Sequence, residues 1–324
     1  MKHLFTLICL AFFFISCDKD SCDASRDVEA LKEEVRIEKL HIPISNIENQ
    51  KEAELFLSEN QILAQYLAKV SNPTSLLLYT SEKKYDTLKL VIREELSNEV
   101  ISTVEKDLTG AFAYLKYYYP DFKNPELKTV FTGFGPILLT FEQNQIFIGA
   151  EYFTSFKPSL QDLPLYLFRH FMPKNIAPKI VMEYARKFEG YDEDDLTVLN
   201  EMIAWGKEYY FTSQMIPCIA DTLLLERTGE EIRLLEQNKN HVWKHFVTNQ
   251  LFYKTDRNTK RIYLDPRPKT IEVSDNAPGM IGRWLGYEIV KSYMENNDIT
   301  LQALMKEPDA KKIFSQSGFK PTIQ

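Results

Sequence analysis

The sequence predicts an α+β fold that is mostly α, with a small β-sheet followed by a helical C-terminal half. Two observations lead to this prediction. Apolar residues recur at helical spacing over most of the chain, and short runs rich in β-branched and aromatic residues lie between residues 127 and 153. No internal repeat, low-complexity tract or linker divides residues 35–324, so a single domain is the economical interpretation.

The N-terminus has the pattern of an export signal that ends at a cysteine. Lys2 precedes an apolar run over residues 4–15, which is too short for a bilayer span of about 20 residues. A small residue and Cys17 follow, and then the chain becomes polar. This order resembles a bacterial lipobox, in which the chain is cut before the cysteine and its thiol receives a fatty acid such as palmitate. We therefore expect a lipoprotein signal peptide at residues 1–16 and lipidation of Cys17, with an ordinary secretory signal as the alternative.

Charge and cysteine content restrict the class of protein further. Residues 17–34 are rich in charge and read as a solvated tether between the lipid and the domain. The whole chain has 46 acidic and 39 basic residues, so no concentrated basic face for nucleic acid is expected. Once the signal peptide has left and Cys17 has been acylated, Cys22 and Cys218 remain, and we expect no disulfide framework, with Cys218 a buried thiol.

The helices and strands follow from local pattern. A strand is predicted at residues 35–40, and a helical pattern over residues 55–70 stops at Asn72 and Pro73. A second helix is predicted at residues 100–118. The tyrosine run at residues 117–119 is interpreted as core packing rather than as a stacking platform. Further strands are predicted at residues 127–132, 137–141 and 145–153, and further helices at residues 176–188, 196–213, 221–225 and 230–251, the last with a capping box of Thr228 and Glu231.

A glycine-rich helix near the C-terminus is the most organised pattern in the chain. Pro278 suits a first helical position and one of residues 274–276 would provide the cap. Its three glycines cost on the order of 3 kcal/mol relative to alanine, so a close contact must offset them. We favour packing against another element, with a partner groove as the alternative. The candidate face consists of Pro278, Gly279, Gly282, Trp284, Gly286 and Tyr287.

Several segments in order along the chain resemble one known family. They are Ile37–Lys39, the motif from Tyr118 to Pro125, the run from Ile146 to Tyr152, the motif from Met202 to Tyr210, and the glycine helix from Ala277 to Met294. Together with the lipobox, these segments resemble the gliding-motility lipoprotein GldB family of Bacteroidota over essentially the whole chain. The resemblance implies a role in surface motility and in the secretion machinery that supports it. It also implies a zincin-like domain at residues 35–324, remotely similar to zinc peptidases.

The residues that a zinc peptidase needs are missing where the resemblance would place them. Such a site requires two histidines one helical turn apart, a glutamate beside the first, and a third ligand from a later helix. In the helix after the strands, Tyr166 and Leu167 stand before His170 where the other histidine and the glutamate would be. Later in the chain, Trp205 stands where relatives have the ligand glutamate. We therefore expect no catalytic residues, no metal and no cofactor.

His241 and His245 leave an alternative open. They have the spacing of two zinc ligands, but Val242 occupies the position of the general base. A divergent zinc-dependent hydrolase using His241 and His245 is therefore the second hypothesis, and an envelope-polymer binding module is the third.

The sequence as a whole predicts a non-enzymatic lipoprotein of the cell envelope. We expect attachment by the N-terminal lipid to the periplasmic side of the inner or outer membrane. The expected partners are the membrane and other envelope proteins of the motility or secretion machinery, and the expected function is that of a scaffold or assembly factor.

Overall fold

A computed structural model describes residues 22–155 and 165–321 of the 324-residue chain. The predicted signal peptide and Cys17 lie outside the described residues. So does the first part of the predicted helix that contains His170. Within the described part of the chain, no helix is long and apolar enough to cross a membrane.

Seven helices make up most of residues 22–118. They are α1 Arg26–Glu29, α2 His41–Ser45, α3 Gln50–Glu59, α4 Gln61–Val70, α5 Pro73–Thr80, α6 Asp86–Glu95 and α7 Asn98–Tyr118. The single helical pattern predicted over residues 55–70 is divided between α3 and α4. The division falls at Asn60, whose side-chain amide donates to the Phe56 carbonyl at 2.9 Å and thereby competes with the helical backbone.

Helix α7 matches its prediction closely. Ser97 caps it by accepting a hydrogen bond from the Val100 amide at 3.3 Å. The residues predicted to share its apolar face are all buried, namely Val104, Leu108, Ala111, Phe112 and Leu115.

The small sheet is confirmed, and its topology is mixed. Its strands are β1 Ile37–Lys39, β2 Glu126–Val130, β3 Leu139–Glu142 and β4 Gln145–Gly149. The strand order is β1-β2-β4-β3, in which β1, β2 and β4 are parallel and β3 is antiparallel to β4. The predicted hairpin is present at β3–β4, and the parallel pair of β1 and β2 joins strands that are far apart in the chain.

The C-terminal half is helical, as predicted. Its helices are α8 Leu165–Phe168, α9 Ile176–Phe188, α10 Val198–Met215, α11 Asp221–Leu224, α12 Gly229–Gln237, α13 Lys239–Thr248, α14 Arg257–Tyr263, α15 Ile281–Asn296, α16 Leu301–Lys306 and α17 Ala310–Gln316. The predicted capping box of Thr228 and Glu231 is confirmed. The predicted helix at residues 230–251 is interrupted at Asn238, whose side chain donates to the Leu234 carbonyl at 2.8 Å.

One helix organises the core. Helix α10 packs against α15, α9, α17 and α7, so it lies at the centre of the helical half. Twelve of its residues are buried, including the charged Lys207. Lys207 donates hydrogen bonds to the Gly190 and Glu307 carbonyls at 2.8 and 2.5 Å. These bonds satisfy the buried ammonium and tie α10 to the segments after α9 and α16.

The prediction about the cysteines is wrong. Cys22 and Cys218 form a disulfide, so Cys218 is not a free thiol. The bond joins the N-terminal segment to the connection after α10. The described part of the predicted tether is also held by packing, since Val28 of α1 is buried and Lys116 pairs with Glu33 at 2.6 Å. Sequence pattern could not pair two cysteines 196 residues apart, because their proximity depends on the tertiary fold.

Candidate functional site

The glycine helix begins later than the sequence predicts. Helix α15 starts at Ile281, preceded by Met280 with a left-handed φ of 52°. Pro278 is therefore not a first helical residue. It lies in an isolated bridge with Lys269, and its carbonyl accepts from the Thr270 hydroxyl at 2.9 Å. A Cβ on Gly279 would lie 1.7 Å from the Arg267 carbonyl oxygen, so the chain runs too close to its neighbour here for any other residue.

The glycines of α15 in the candidate face are packed against α10 and the α14 region. A Cβ on Gly286 would lie 1.9 Å from the Met202 carbonyl oxygen, and one on Gly206 would lie 2.4 Å from the Gly286 carbonyl oxygen. Two glycines on facing helices thus allow the backbones to approach closely. Gly282 lies similarly against Leu264 and Tyr263 of the α14 region.

The two aromatic residues of this face complete the contact. Trp284 is 1% exposed, and Tyr287 lies partly buried with its ring 6.0 Å from that of Tyr209. Burial raises the pKa of Tyr287 to about 12. Five of the six residues of the candidate face are therefore interior, and Tyr287 is partly so. The geometry is that of a packing surface.

His241 and His245 on α13 have separate partners within the protein. His241 Nε2 donates to the Val273 carbonyl at 3.1 Å, whereas His245 Nε2 lies 2.8 Å from the Tyr263 hydroxyl. Burial lowers the pKa of His245. Among residues 22–155 and 165–321, no group of three or more His, Cys, Asp or Glu side chains could hold a metal ion.

His170 lies in an ionic cluster. Its Nδ1 donates to Glu226 Oε2 at 2.5 Å, and Lys179 of α9 pairs with the other oxygen of Glu226 at 2.5 Å. These two partners lower the pKa of Glu226 to about 2, against the opposing effect of burial. The cluster fixes the segment after α8 to α9 and to the segment between α11 and α12.

A second set of charges connects this cluster to the glycine helix. Arg169 forms a bidentate pair with Glu231 at 2.6 and 3.0 Å. The buried Arg227 donates to the carbonyls of Gly279 and Met280 at 2.7 and 3.0 Å, and burial lowers its pKa to about 10. These contacts hold the entry into α15 in place, which is a structural role.

Trp205 has a role of its own at the position where the resemblance implies a zinc ligand. The Arg283 guanidinium lies over its ring at 3.6 Å, and the Arg186 guanidinium lies 5.3 Å from the same ring. Arg186 in turn forms a bidentate pair with the buried Glu208. Trp205 thus links α9, α10 and α15.

An aromatic groove opens on the other side of α9. It has a volume of about 620 Å³ and lies between the end of α7, the β3–β4 turn, α9 and α16. Tyr119 and Phe188 stack in it with ring centroids 3.9 Å apart. The aromatic groove is lined by Tyr118, Tyr119, Phe122, Tyr184 and Phe188 together with Lys123, Lys187 and Lys306.

The charge in the aromatic groove is positive. Its three lysines face one acidic residue, Asp121. The Lys187 ammonium lies 4.1 Å from the centre of the Phe141 ring, and burial lowers the pKa of this lysine. Aromatic faces and ammonium groups together suit a ligand or a partner segment that combines apolar and acidic groups.

Sequence reasoning missed this groove. The prediction of core packing for the tyrosine run is confirmed for Tyr118 and Tyr119, but Tyr117 is 47% exposed and Tyr118 also lines the groove. The run itself was the available signal. The other walls come from residues 184–188 and 302–306, which only the tertiary fold brings together.

The comparisons with known proteins give one family. The family model described as gliding motility protein GldB matches residues 21–321. No curated protein and no solved structure matches the chain. The matched region begins one residue before Cys22, and so it includes the disulfide and the packed N-terminal segment. The chain belongs to the GldB gliding-motility family.

Proposed function

We propose that this chain is a lipid-anchored, non-catalytic protein of the cell envelope that acts as a scaffold or assembly factor in gliding motility or the associated protein secretion. The observation that carries the proposal is the match of the gliding-motility family over residues 21–321. The lipobox at Cys17 supports attachment by lipid. The Cys22–Cys218 disulfide supports a location outside the cytoplasm, because disulfides persist in oxidising compartments.

The absence of catalysis is supported by what the candidate residues do. His170 is hydrogen-bonded to Glu226, Trp205 stacks under Arg283, and His241 and His245 bond to different neighbours. Each is engaged in holding elements together. We also propose a degenerate zincin-like domain, since the small sheet precedes a helical half, as that resemblance implies.

The aromatic groove is the surface that we assign to a partner. Its combination of aromatic rings and lysines fits an acidic, partly apolar segment of another envelope protein. The same combination favours the second candidate, in which the groove binds an envelope polymer, because sugar rings also stack on aromatic faces. A divergent hydrolase that uses His241 and His245 is the remaining alternative, and only their spacing favours it.

Co-purification from gently solubilised membranes tests the scaffold proposal. The variant carries Lys123→Glu and Lys306→Glu, which reverse two exposed charges of the groove. The matched control carries Lys51→Glu and Lys244→Glu, two exposed lysines on α3 and α13 away from the groove. We expect the parent and the control to recover the same envelope proteins and the groove variant to lose them.

Equal recovery by all three proteins would contradict a docking role for the groove. Binding of the parent to isolated cell-wall polymer, with loss of that binding in the groove variant, would favour the polymer-binding candidate instead.

A further inference from the structure

A basic cavity lies at the opposite end of α7 from the aromatic groove. It has a volume of about 520 Å³ and is formed where β1 passes into α2, beside α6 and the start of α7. This volume is in the range of small-molecule sites. The basic cavity is lined mainly by polar and charged side chains. These are Lys39, His41, Ser45, Asn46, Asp86, Lys89, Arg93, Ser97 and Asn98.

The charge of the basic cavity is opposite to that of the chain. Lys39, Lys89 and Arg93 face only Asp86, whereas the whole sequence carries a net charge of −7. Arg93 has no ion pair among the described residues. The side chain of Lys89 is only 15% exposed, yet its ammonium lies 3.8 Å from Asp86, its acidic neighbour. Lys39 bonds to the side chain of Asn98. The cavity thus gathers cations that the protein itself only partly neutralises.

The start of α7 adds to this positive potential. This helix is 21 residues long and begins in the cavity wall at Ser97 and Asn98. Ser97 caps the Val100 amide, but the other first amides of the helix lack partners within it, and the helix dipole places partial positive charge there. Both effects favour an anion beside the three cations.

His41 supplies an acceptor in the same cavity. Its side chain is 4% exposed, and its Nδ1 lies 2.7 Å from the Thr129 hydroxyl oxygen. That hydroxyl donates to the Glu38 carbonyl at 3.3 Å, so it accepts from Nδ1. Burial lowers the pKa of His41 to about 4, so the ring is neutral and Nε2 carries a lone pair. Within the described part of the chain, Nε2 has no hydrogen-bond partner, and a ligand hydroxyl would provide one.

We propose that the basic cavity binds a phosphorylated sugar, either free or as the headgroup of an envelope glycolipid. The phosphate lies against Lys39, Lys89 and Arg93 at the start of α7, and a sugar hydroxyl donates to His41 Nε2. The net positive charge of two on the lining, from three cations and Asp86, matches a phosphate monoester dianion better than a single carboxylate. Ser45 and Asn46 provide further polar contacts for the sugar ring.

Calorimetry on the full-length protein in detergent tests this proposal, with glucose 1-phosphate, inorganic phosphate and glucose as probes. The variant is Arg93→Gln, at an exposed residue whose loss leaves the core intact, and the matched control is Lys244→Gln on α13. We expect the parent and the control to bind glucose 1-phosphate, and Arg93→Gln to bind it about tenfold more weakly or worse, as for loss of a charge-assisted hydrogen bond. Glucose should not bind, and inorganic phosphate should bind more weakly than the sugar phosphate.

Lipid A in the detergent micelles distinguishes the two sources of the sugar phosphate. Displacement of glucose 1-phosphate by micelles that contain lipid A, but not by micelles without it, supports the glycolipid. Binding of glucose 1-phosphate with no displacement supports the soluble compound. The proposal is overturned if the parent does not bind glucose 1-phosphate, if Arg93→Gln binds it as well as the control does, or if inorganic phosphate binds equally tightly.

Discussion

Glu226 makes the free energy of unfolding depend on pH in the acidic range. Its folded-state pKa of about 2 lies below the ordinary 4.5, because His170 and Lys179 both bond to the ionised carboxylate. A carboxylate whose pKa is lowered on folding stabilises the protein at pH values above its ordinary pKa. This stabilisation is lost as the pH falls towards the folded-state pKa of about 2. From the size of the shift, the contribution at neutral pH is on the order of 3 kcal/mol.

The variant Glu226→Gln tests this linkage. It keeps the shape of the side chain but removes the charge. We expect urea unfolding to show a large loss of stability relative to the parent at pH 5 and a much smaller difference near pH 2. A difference that is the same at both pH values would show that the carboxylate charge does not hold this cluster together.

Substitution by alanine should have opposite effects on stability at Gly286 and at Gly110. In Gly286→Ala the new methyl group meets the Met202 backbone at 1.9 Å, whereas in Gly110→Ala on α7 it meets nothing within 4 Å. Alanine improves helix propensity by about 1 kcal/mol at either position. At Gly286 overpacking costs typically 1–3 kcal/mol, and we expect the packing cost to exceed the gain because the obstacle is backbone.

Urea unfolding midpoints of the two variants provide the measurement. We expect Gly110→Ala to be more stable than the parent and Gly286→Ala to be less stable, by about 1 kcal/mol after the gain in helix propensity is subtracted from the packing cost. If Gly286→Ala were as stable as the parent, α15 would not approach α10 as closely as the structure shows.

At the scale of elements, the disulfide holds the N-terminal segment against the helical half. Chain-entropy arguments give on the order of 5 kcal/mol for so long a loop, and measured values are commonly 2–4 kcal/mol. We expect the double variant Cys22→Ser and Cys218→Ser to unfold at a lower urea concentration than the parent, and α1 to exchange its amide hydrogens faster.

Peptide mapping without reductant tests the disulfide itself and should recover a fragment that contains both cysteines. Separate thiols in the exported protein would contradict the bond.

Local pattern predicted most helices of this chain and missed two breaks for the same reason. The predicted helices at residues 55–70 and 230–251 both divide at an asparagine, Asn60 and Asn238. Each side-chain amide bonds to a carbonyl four residues earlier, which the apolar spacing does not reveal. The capping box at Thr228 was predictable because all its partners lie within one turn.

Features that depend on distant residues were not predictable in this way. The parallel pairing of β1 with β2 joins segments separated by six helices. The start of α15 was misplaced because Pro278 is held by Lys269 and Thr270 instead of opening the helix. The aromatic groove and the basic cavity likewise need several elements each.

At the scale of the whole molecule, we expect lipidation of Cys17 to determine where the protein acts. We expect Cys17→Ser to accumulate as full-length precursor and to lose metabolic labelling with fatty acid, because the signal peptide is cut only after the cysteine is acylated. Cys22→Ser is the control and should still be labelled. Unchanged labelling of Cys17→Ser would place the anchor elsewhere.

The central claim is that the protein serves motility or secretion without zinc catalysis. It is tested most directly by restoring gliding or surface-protein secretion to cells of the host that lack the gene. We expect the double variant His241→Ala and His245→Ala to restore function fully, because these histidines bond to their neighbours Val273, Tyr263 and Asn249 within the described part of the chain. The groove variant Lys123→Glu and Lys306→Glu should fail at equal protein level. Loss of function in the histidine variant, together with near-equimolar zinc in the purified parent that is absent from the variant, would contradict the claim.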